Sequence, residues 1–348
     1  MLTVLEAFPR DFAHVSARDL WRVLPGPTLV HLPGRRPEPL FVSVLLHGNE
    51  DTGLKAIQTL LARRLAALPR ALSVFVGNVA AAAAGERRLK EQPDYNRVWP
   101  GSATAGSAEH AMMAKIVAQM RQRRVFASID IHNNTGINPS YSCVNVLDDR
   151  FLHLARLFSR TVVYFQRPLG VQSAAFAECC PAITVECGKA GNLSSEMHAA
   201  ELLEAALNLD HFPAHPLPSR DFDLYHTVGV VKVARDATFA FDAGEADLRF
   251  ARTLEQMNFR DLPAGTVFAE LATGNVRPLD VWGEDDRQLA DDYFERRGAQ
   301  LRLKRAVTPS MLTVDERAIR QDCLCYFMER LERLERSSVS AAGGAATR

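Results

Sequence analysis

Four residues carry side chains that could perform hydrolytic chemistry together. His47 and Glu50 stand in His47-Gly48-Asn49-Glu50, His132 in Asp130-Ile131-His132-Asn133, and Glu186 in Glu186-Cys187-Gly188-Lys189. Two His and one carboxylate suit a catalytic zinc, which commonly keeps a further position for water. A short pair plus one distant ligand is the usual spacing. Here the pair is His47 and Glu50, and His132 follows 132 − 47 = 85 residues on. Glu186 is left over, and a carboxylate beside an activated water is what a metal-assisted hydrolase needs as general base. Singly, each segment has a plainer reading. A lone HxxE is more often a satisfied polar histidine. Asp130 and His132 could be a hydrogen-bonded pair at a strand end, and Glu186 an ion-pair partner. Their joint placement favours the metal.

That placement depends on the elements in front of each segment. The first follows FVSVLL, the second VFASI and the third AITV. Continuous apolar runs of this kind suit strands buried on both faces, as in a parallel sheet. Ligands gather at the carboxyl ends of such strands. Further strands are expected at 28–33, 72–76 and 161–165. Helices are expected at 50–67, where Leu54, Ile57, Leu60, Leu61 and Leu65 have helical spacing, and at 108–122, 151–158 and 194–209. Strand and helix alternate, which predicts an α/β fold with a mostly parallel or mixed sheet flanked by helices.

The pattern changes near residue 212. FPAHPLPSRDFD is a linker-like stretch, followed by short alternating runs at 224–233, 237–241 and 266–271 punctuated by glycine. The expected division is a catalytic α/β domain at 1–211, a β-rich domain at 212–335 and a disordered tail at 336–348. A closing helix is expected at 313–335, with Thr313 and Glu316 as a capping box.

A fourth segment, residues 77–101, is a loop-like stretch holding Arg87, Arg88, Asn96 and Arg97. The planar fork of Arg can hold a carboxylate bidentately or stabilise a developing oxyanion. In isolation, Arg87 and Arg88 would read as a solvated basic loop.

Other chemistries find no support. There is no GxSxG, P-loop or GxGxxG. Cys187 follows an apolar run and reads as a buried, inert thiol. Lys+Arg and Asp+Glu are 41 each in the 348 residues, so a zero net charge argues against nucleic acid. No apolar run reaches membrane-spanning length, and the N-terminus lacks the features of a signal peptide. The six cysteines form no CxxC pair, which suits a reducing cytoplasm.

HGNE, an Arg ahead of the D-x-N-R-x-x-x-G segment at Asp94–Gly101, DIH, and a strand ending in E-x-G together resemble the succinylglutamate desuccinylase/aspartoacylase family, relatives of the zinc carboxypeptidases. The motifs cover roughly residues 40–200. The resemblance implies one zinc per chain on His47, Glu50 and His132, and Glu186 as base and proton shuttle. It implies that Arg88 polarises the scissile carbonyl, with Arg87 the rival alignment. Asn96 and Arg97 would grip a substrate carboxylate, Tyr293 would contact substrate, and Arg167 is a second candidate by position. A small C-terminal β-domain, residues 216–310 here, would partly cover the site. The implied function is deacylation of a small N-acyl amino acid in the cytoplasm, by a chain for which a homo-oligomer is compatible. The alternatives are a carboxypeptidase acting on a peptide or cell-wall fragment, and a non-catalytic zinc-binding ligand sensor.

Overall fold

The structure is a computed structural model that describes residues 1–63, 67–103, 106–272 and 278–332. Its N-terminal part contains strands β1 (Thr3–Leu5), β2 (Thr28–Leu32), β3 (Gly34–Val44), β4 (Leu68–Val76), β5 (Ala127–His132), β6 (Tyr141–Val144), β7 (Thr161–Tyr164) and β8 (Ala182–Glu186). Helices α1 (Thr52–Arg63), α2 (Val79–Ala84), α3 (Ala108–Gln122), α4 (Asp149–Arg156), α5 (Gln172–Ala177) and α6 (Leu193–Asn208) connect them. The apolar runs became strands where expected. Val42, Val44, Ile129 and Ile183 are fully buried, because helices cover both faces of the sheet. In α1, Leu54, Ile57 and Leu60 are buried as their spacing predicts; the expected Leu65 lies outside the described residues. Ser107 caps α3 and Asn192 caps α6, each accepting a backbone N–H of the first turn.

The C-terminal part adds β9 (Asp223–Val233), β10 (Phe239–Phe241), β11 (Leu248–Phe250), β12 (Val267–Leu271), β13 (Leu279–Trp282), β14 (Phe294–Arg297), β15 (Gln300–Leu303), β16 (Thr308–Ser310) and β17 (Cys325–Arg330), with short helices α7 (Ala290–Tyr293) and α8 (Glu316–Gln321). The large sheet runs β1-β2-β4-β3-β5-β8-β6-β7-β9-β17-β16, with β13 also on β9. It is mixed: β4-β3-β5-β8 are mutually parallel, and β6 is antiparallel to β8. The second sheet is β10-β11-β12-β15-β14. The Pro-rich stretch after residue 211 is no end to the large sheet, since β9 beyond it pairs with β7. Two main cores result, one reaching from Phe12 to Leu224 and one from Val231 to Phe327. The second is aromatic, with Phe268 set 5.3 Å from Phe294 and 5.8 Å from Phe327 between ring centres.

The closing helix expected at 313–335 is corrected. Among the described residues of that range, Glu316–Gln321 alone is helical, and Cys325–Arg330 is a strand between β9 and β16. Asp315, not Thr313, caps α8, accepting from the backbone N–H groups of Arg317 and Ala318. The register of β17 shifts between Phe327 and Met328, so consecutive residues are both buried. That bulge removes the alternation by which a strand is read from sequence. The tail expected at 336–348 lies outside the described residues. No described helix is long and apolar enough to cross a membrane.

Candidate active site

β3, β5 and β8 are adjacent and parallel, so their carboxyl ends meet on one edge of the sheet. His132 and Glu186 are direct register partners there. Leu45, the first residue beyond β3, has φ 54°, and the His47 loop follows from this turn. Gly48 in that loop is required by space: a Cβ would stand 2.2 Å from the Ala82 backbone nitrogen in α2. Its own N–H donates to the Arg87 carbonyl, which ties the loop to the Arg87 segment.

His47, Glu50 and His132 form a group whose candidate ligand atoms lie within 4.8 Å of one another. All three are buried, as is Glu186. The imidazole Nδ1 atoms of His47 and His132 each lie 2.7 Å from a different oxygen of Glu50. On the far side of each ring stands another carboxylate. Asp94 Oδ1 is 3.0 Å from His47 Nε2, and Asp130 Oδ2 is 2.7 Å from His132 Nε2. Each ring thus has a carboxylate, which only accepts, at both nitrogens; were a metal to join Glu50, the Nδ1 atoms beside it would be its ligands and each Nε2 would keep its hydrogen toward the outer Asp. Asp130 is itself fixed by Ser43 Oγ, which donates at 2.6 Å, and Asn96 Nδ2, which donates at 3.2 Å. This donor set fits zinc: two imidazoles oriented by outer carboxylates, and one carboxylate between them.

The electrostatics follow from burial and these pairings. Burial alone would raise the Glu50 carboxyl, but the two imidazoles outweigh it and hold Glu50 below the carboxylate range. Asp94 is likewise held well below that range, burial being outweighed by Arg87, His47 and Arg97. Glu186 goes the other way. Burial pushes its carboxyl up to about 7, with His132 opposing and Glu50 adding to the rise. Its Oε2 is buried with no hydrogen-bond partner. A carboxyl poised there with an unused oxygen is chemically ready to exchange a proton. Cys187, beside it, is buried, and burial drives its thiol upward, so it is no nucleophile.

The cleft over these residues takes in about 680 Å³ of space, a figure that includes its open mouth. His47, Glu50, His132, Glu186, Asn96 and Arg97 all line it. Of the adjacent arginines, Arg87 lines it and approaches Glu50 Oε1 at 3.6 Å. Arg88 donates instead to the Gln92 carbonyl at 2.9 Å, so the structure puts Arg87, the rival alignment, where Arg88 was expected. Asn96 spends both ends of its amide within the protein, Nδ2 on Asp130 and Oδ1 accepting from the Gln172 N–H. It therefore braces the site from the cleft wall. Arg97 donates to Asp322 Oδ1 at 3.0 Å. Gly170 packs against Arg97, where a Cβ would meet its carbonyl oxygen at 2.4 Å, and this brings Arg167 to the cleft as well.

Tyr293 is not brought there. It is buried in the second core, 5.3 Å from Phe327 between ring centres, with the Arg305 guanidinium 5.1 Å from its ring. The tyrosines that do line the cleft are Tyr141 and Tyr326. Sequence reasoning also missed Asp322, which reaches both Arg87 and Arg97, and gave Asp94 no role of its own. Asp94 was visible as the first residue of its motif; nothing local marks Asp322.

Residues 39–211 match the succinylglutamate desuccinylase/aspartoacylase catalytic domain. Over those residues the chain belongs to this family. No curated protein matches the chain. Among solved structures, succinylglutamate desuccinylase from Chromobacterium violaceum is similar at 17% identity, covering 86% of each chain with a TM-score of 0.55. Murine aminoacylase 3 is similar at 16% identity, over 85% of this chain and 96% of its own, with a TM-score of 0.57. A succinylglutamate desuccinylase/aspartoacylase from Rhodobacter sphaeroides is similar at 14% identity over 87% and 89%, with a TM-score of 0.58. These likenesses extend the shared fold beyond the matched family domain into the C-terminal region.

Proposed function

We propose that the protein is a zinc-dependent amidohydrolase that releases the amino acid from a small N-acyl amino acid. The observation that carries this is the pair of imidazoles turned onto Glu50 by Asp94 and Asp130, with the unpartnered Glu186 Oε2 buried in the same cleft. Membership of the desuccinylase/aspartoacylase family supports it. One zinc per chain, held by His47, Glu50 and His132, would supply a Lewis acid that polarises the amide carbonyl and makes water a better nucleophile.

The chain's own residues do the rest. Glu186 accepts the proton of the attacking water and returns it to the leaving amine nitrogen. Arg87 donates to the carbonyl oxygen as negative charge develops there. Its guanidinium is oriented in advance by Asp94 at 3.0 Å, so little reorganisation is needed. Asn96 keeps Asp130 in place and thereby the His132 ring. Arg97 offers its charge to the substrate's carboxylate and shares it with Asp322. The proposed working place is the cytoplasm, where the six unpaired cysteines would remain reduced.

The test is to incubate zinc-loaded protein with a panel of N-acyl amino acids and their methyl esters and to measure released primary amine. The expected outcome is amine release from the acids in preference to the esters. Release confined to the C-terminal residue of peptides would make the protein a carboxypeptidase instead. Zinc binding with no turnover of either kind would make it a ligand sensor.

A further inference from the structure

The part of the cleft built from β6, β7 and the loop into α5 is mainly apolar, with Arg167 the cation of that loop. Tyr141, Cys143, Val163, Phe165 and Val171 line it. Four of these five are nine-tenths or more buried, the exception being Phe165. Among the described residues, the cations lining the cleft beyond the histidines are Arg87, Arg97 and Arg167, and each already faces a carboxylate. Arg87 meets Asp94 at 3.0 Å and Asp322 at 3.2 Å, Arg97 meets Asp322 at 3.0 Å, and Arg167 pairs with Asp286. Asp322 thus gives one oxygen to each of two arginines, so their charge is already half neutralised and would balance one substrate carboxylate rather than two.

We propose that Asp322 is a specificity-determining residue that turns dicarboxylates away. The favoured substrate is then an N-acyl amino acid with a single carboxylate, whose remaining group, in the Tyr141–Val163–Phe165 wall, is uncharged and apolar. The inference rests on the deacylase reading and narrows it. A single carboxylate can share Arg97 with Asp322. A second one would stand either against the apolar wall, where a charge loses its hydration without a partner, or beside Asp322, where like charges repel. Asp322 itself stays ionised, because Arg97 and Arg87 outweigh its burial and hold its carboxyl below the usual range.

The experiment compares kcat/KM for N-acetylleucine and N-hexanoylglycine with that for N-acetylaspartate and N-succinylglutamate, in wild type and in Asp322→Asn. Wild type should favour the monocarboxylates at least tenfold. Asp322→Asn, which keeps the shape and removes the charge, should raise kcat/KM for the dicarboxylates at least tenfold relative to the monocarboxylates, chiefly through KM. A merely structural role for Asp322 would lower all four substrates together, and that result overturns the proposal. Should circular dichroism show Asp322→Asn unfolded, Phe165→Arg takes its place. It adds a cation to the apolar wall and should shift preference toward dicarboxylates in the same direction; no shift overturns the proposal. Wild type that releases amine equally well from dicarboxylates overturns the inference and leaves the deacylase reading standing. No amine from any substrate overturns both.

Discussion

The N-terminal α/β part and the C-terminal region furnish the same cleft in different ways. From the first come His47, Glu50, His132 and Glu186, each at the end of a strand or one short turn beyond it, on three neighbouring strands. From the second come Thr227, Ser310, Met311, Asp322 and Tyr326, carried on β9, β16, β17 and the segments joining them. The first set could perform a reaction; the second borders the space in which a substrate would lie. Parallel strands converge their ends by geometry, so reactive groups there need only short loops to meet. The bordering residues depend on how β17 joins β9, a pairing far apart in the chain. The candidate reactive groups therefore sit at the ends of neighbouring parallel strands, while the bordering residues come from more distant strands and touch them through Asp322, which pairs with Arg87 and Arg97.

Substitutions in the first set should be the most damaging. His132→Ala should abolish stoichiometric zinc, read by metal analysis, and cut turnover by at least ~10³-fold, since one of three protein ligands is gone. Full zinc retention would break the assignment. Glu186→Gln should keep both zinc and fold yet lose about 10²–10⁴-fold in kcat, because an amide cannot take the proton. A near-normal kcat would mean that another group serves as base.

The arginines sharpen the contrast within one segment. Arg87→Ala should lose about 10²–10³-fold in kcat, the scale of one oxyanion donor. Arg88→Ala, which removes a bond to the Gln92 carbonyl, should cost far less. The reverse order would restore the alignment that sequence preferred. Asp130→Asn should weaken zinc binding by about 10–100-fold, measured by competition with a chelator, because the outer partner of His132 is altered. The smallest effect belongs to the second core. Tyr293→Phe should leave kcat/KM within about twofold of wild type, since the ring lies against Phe327 and away from the cleft. A large KM effect there would mean that the C-terminal region reaches the substrate in a way its packing does not suggest.

Much of the fold was legible because burial on both faces leaves a nearly continuous apolar run, broken only by single buried polar residues such as Ser43, Ser128 and Thr184, and such runs mark β3, β8 and the start of β5. The same logic failed at β17, where the bulge at Phe327–Met328 places two buried residues in succession and imitates a helical face. At Arg87 and Arg88 no periodicity applies, for both lie in a loop. What separates them is the Arg87 carbonyl accepting from Gly48 and the Arg88 side chain turning to Gln92. Asp322 sits in Gln321-Asp322-Cys323, which says nothing of arginines more than two hundred positions earlier.

The sequence by itself determined the α/β sheet, the order of its strands along the chain, and the residue types delivered to three strand ends. These are local properties: each rests on a run of side chains within one element and the residue that follows it. Only the tertiary structure decided which arginine faces the cleft, that Asp94 and Asp130 orient the two imidazoles, that Tyr293 is core, and that Asp322 stands between Arg87 and Arg97. Those outcomes depend on contacts between segments far apart in the chain. There the partner is chosen by packing and charge in space, and no spacing along one segment records it.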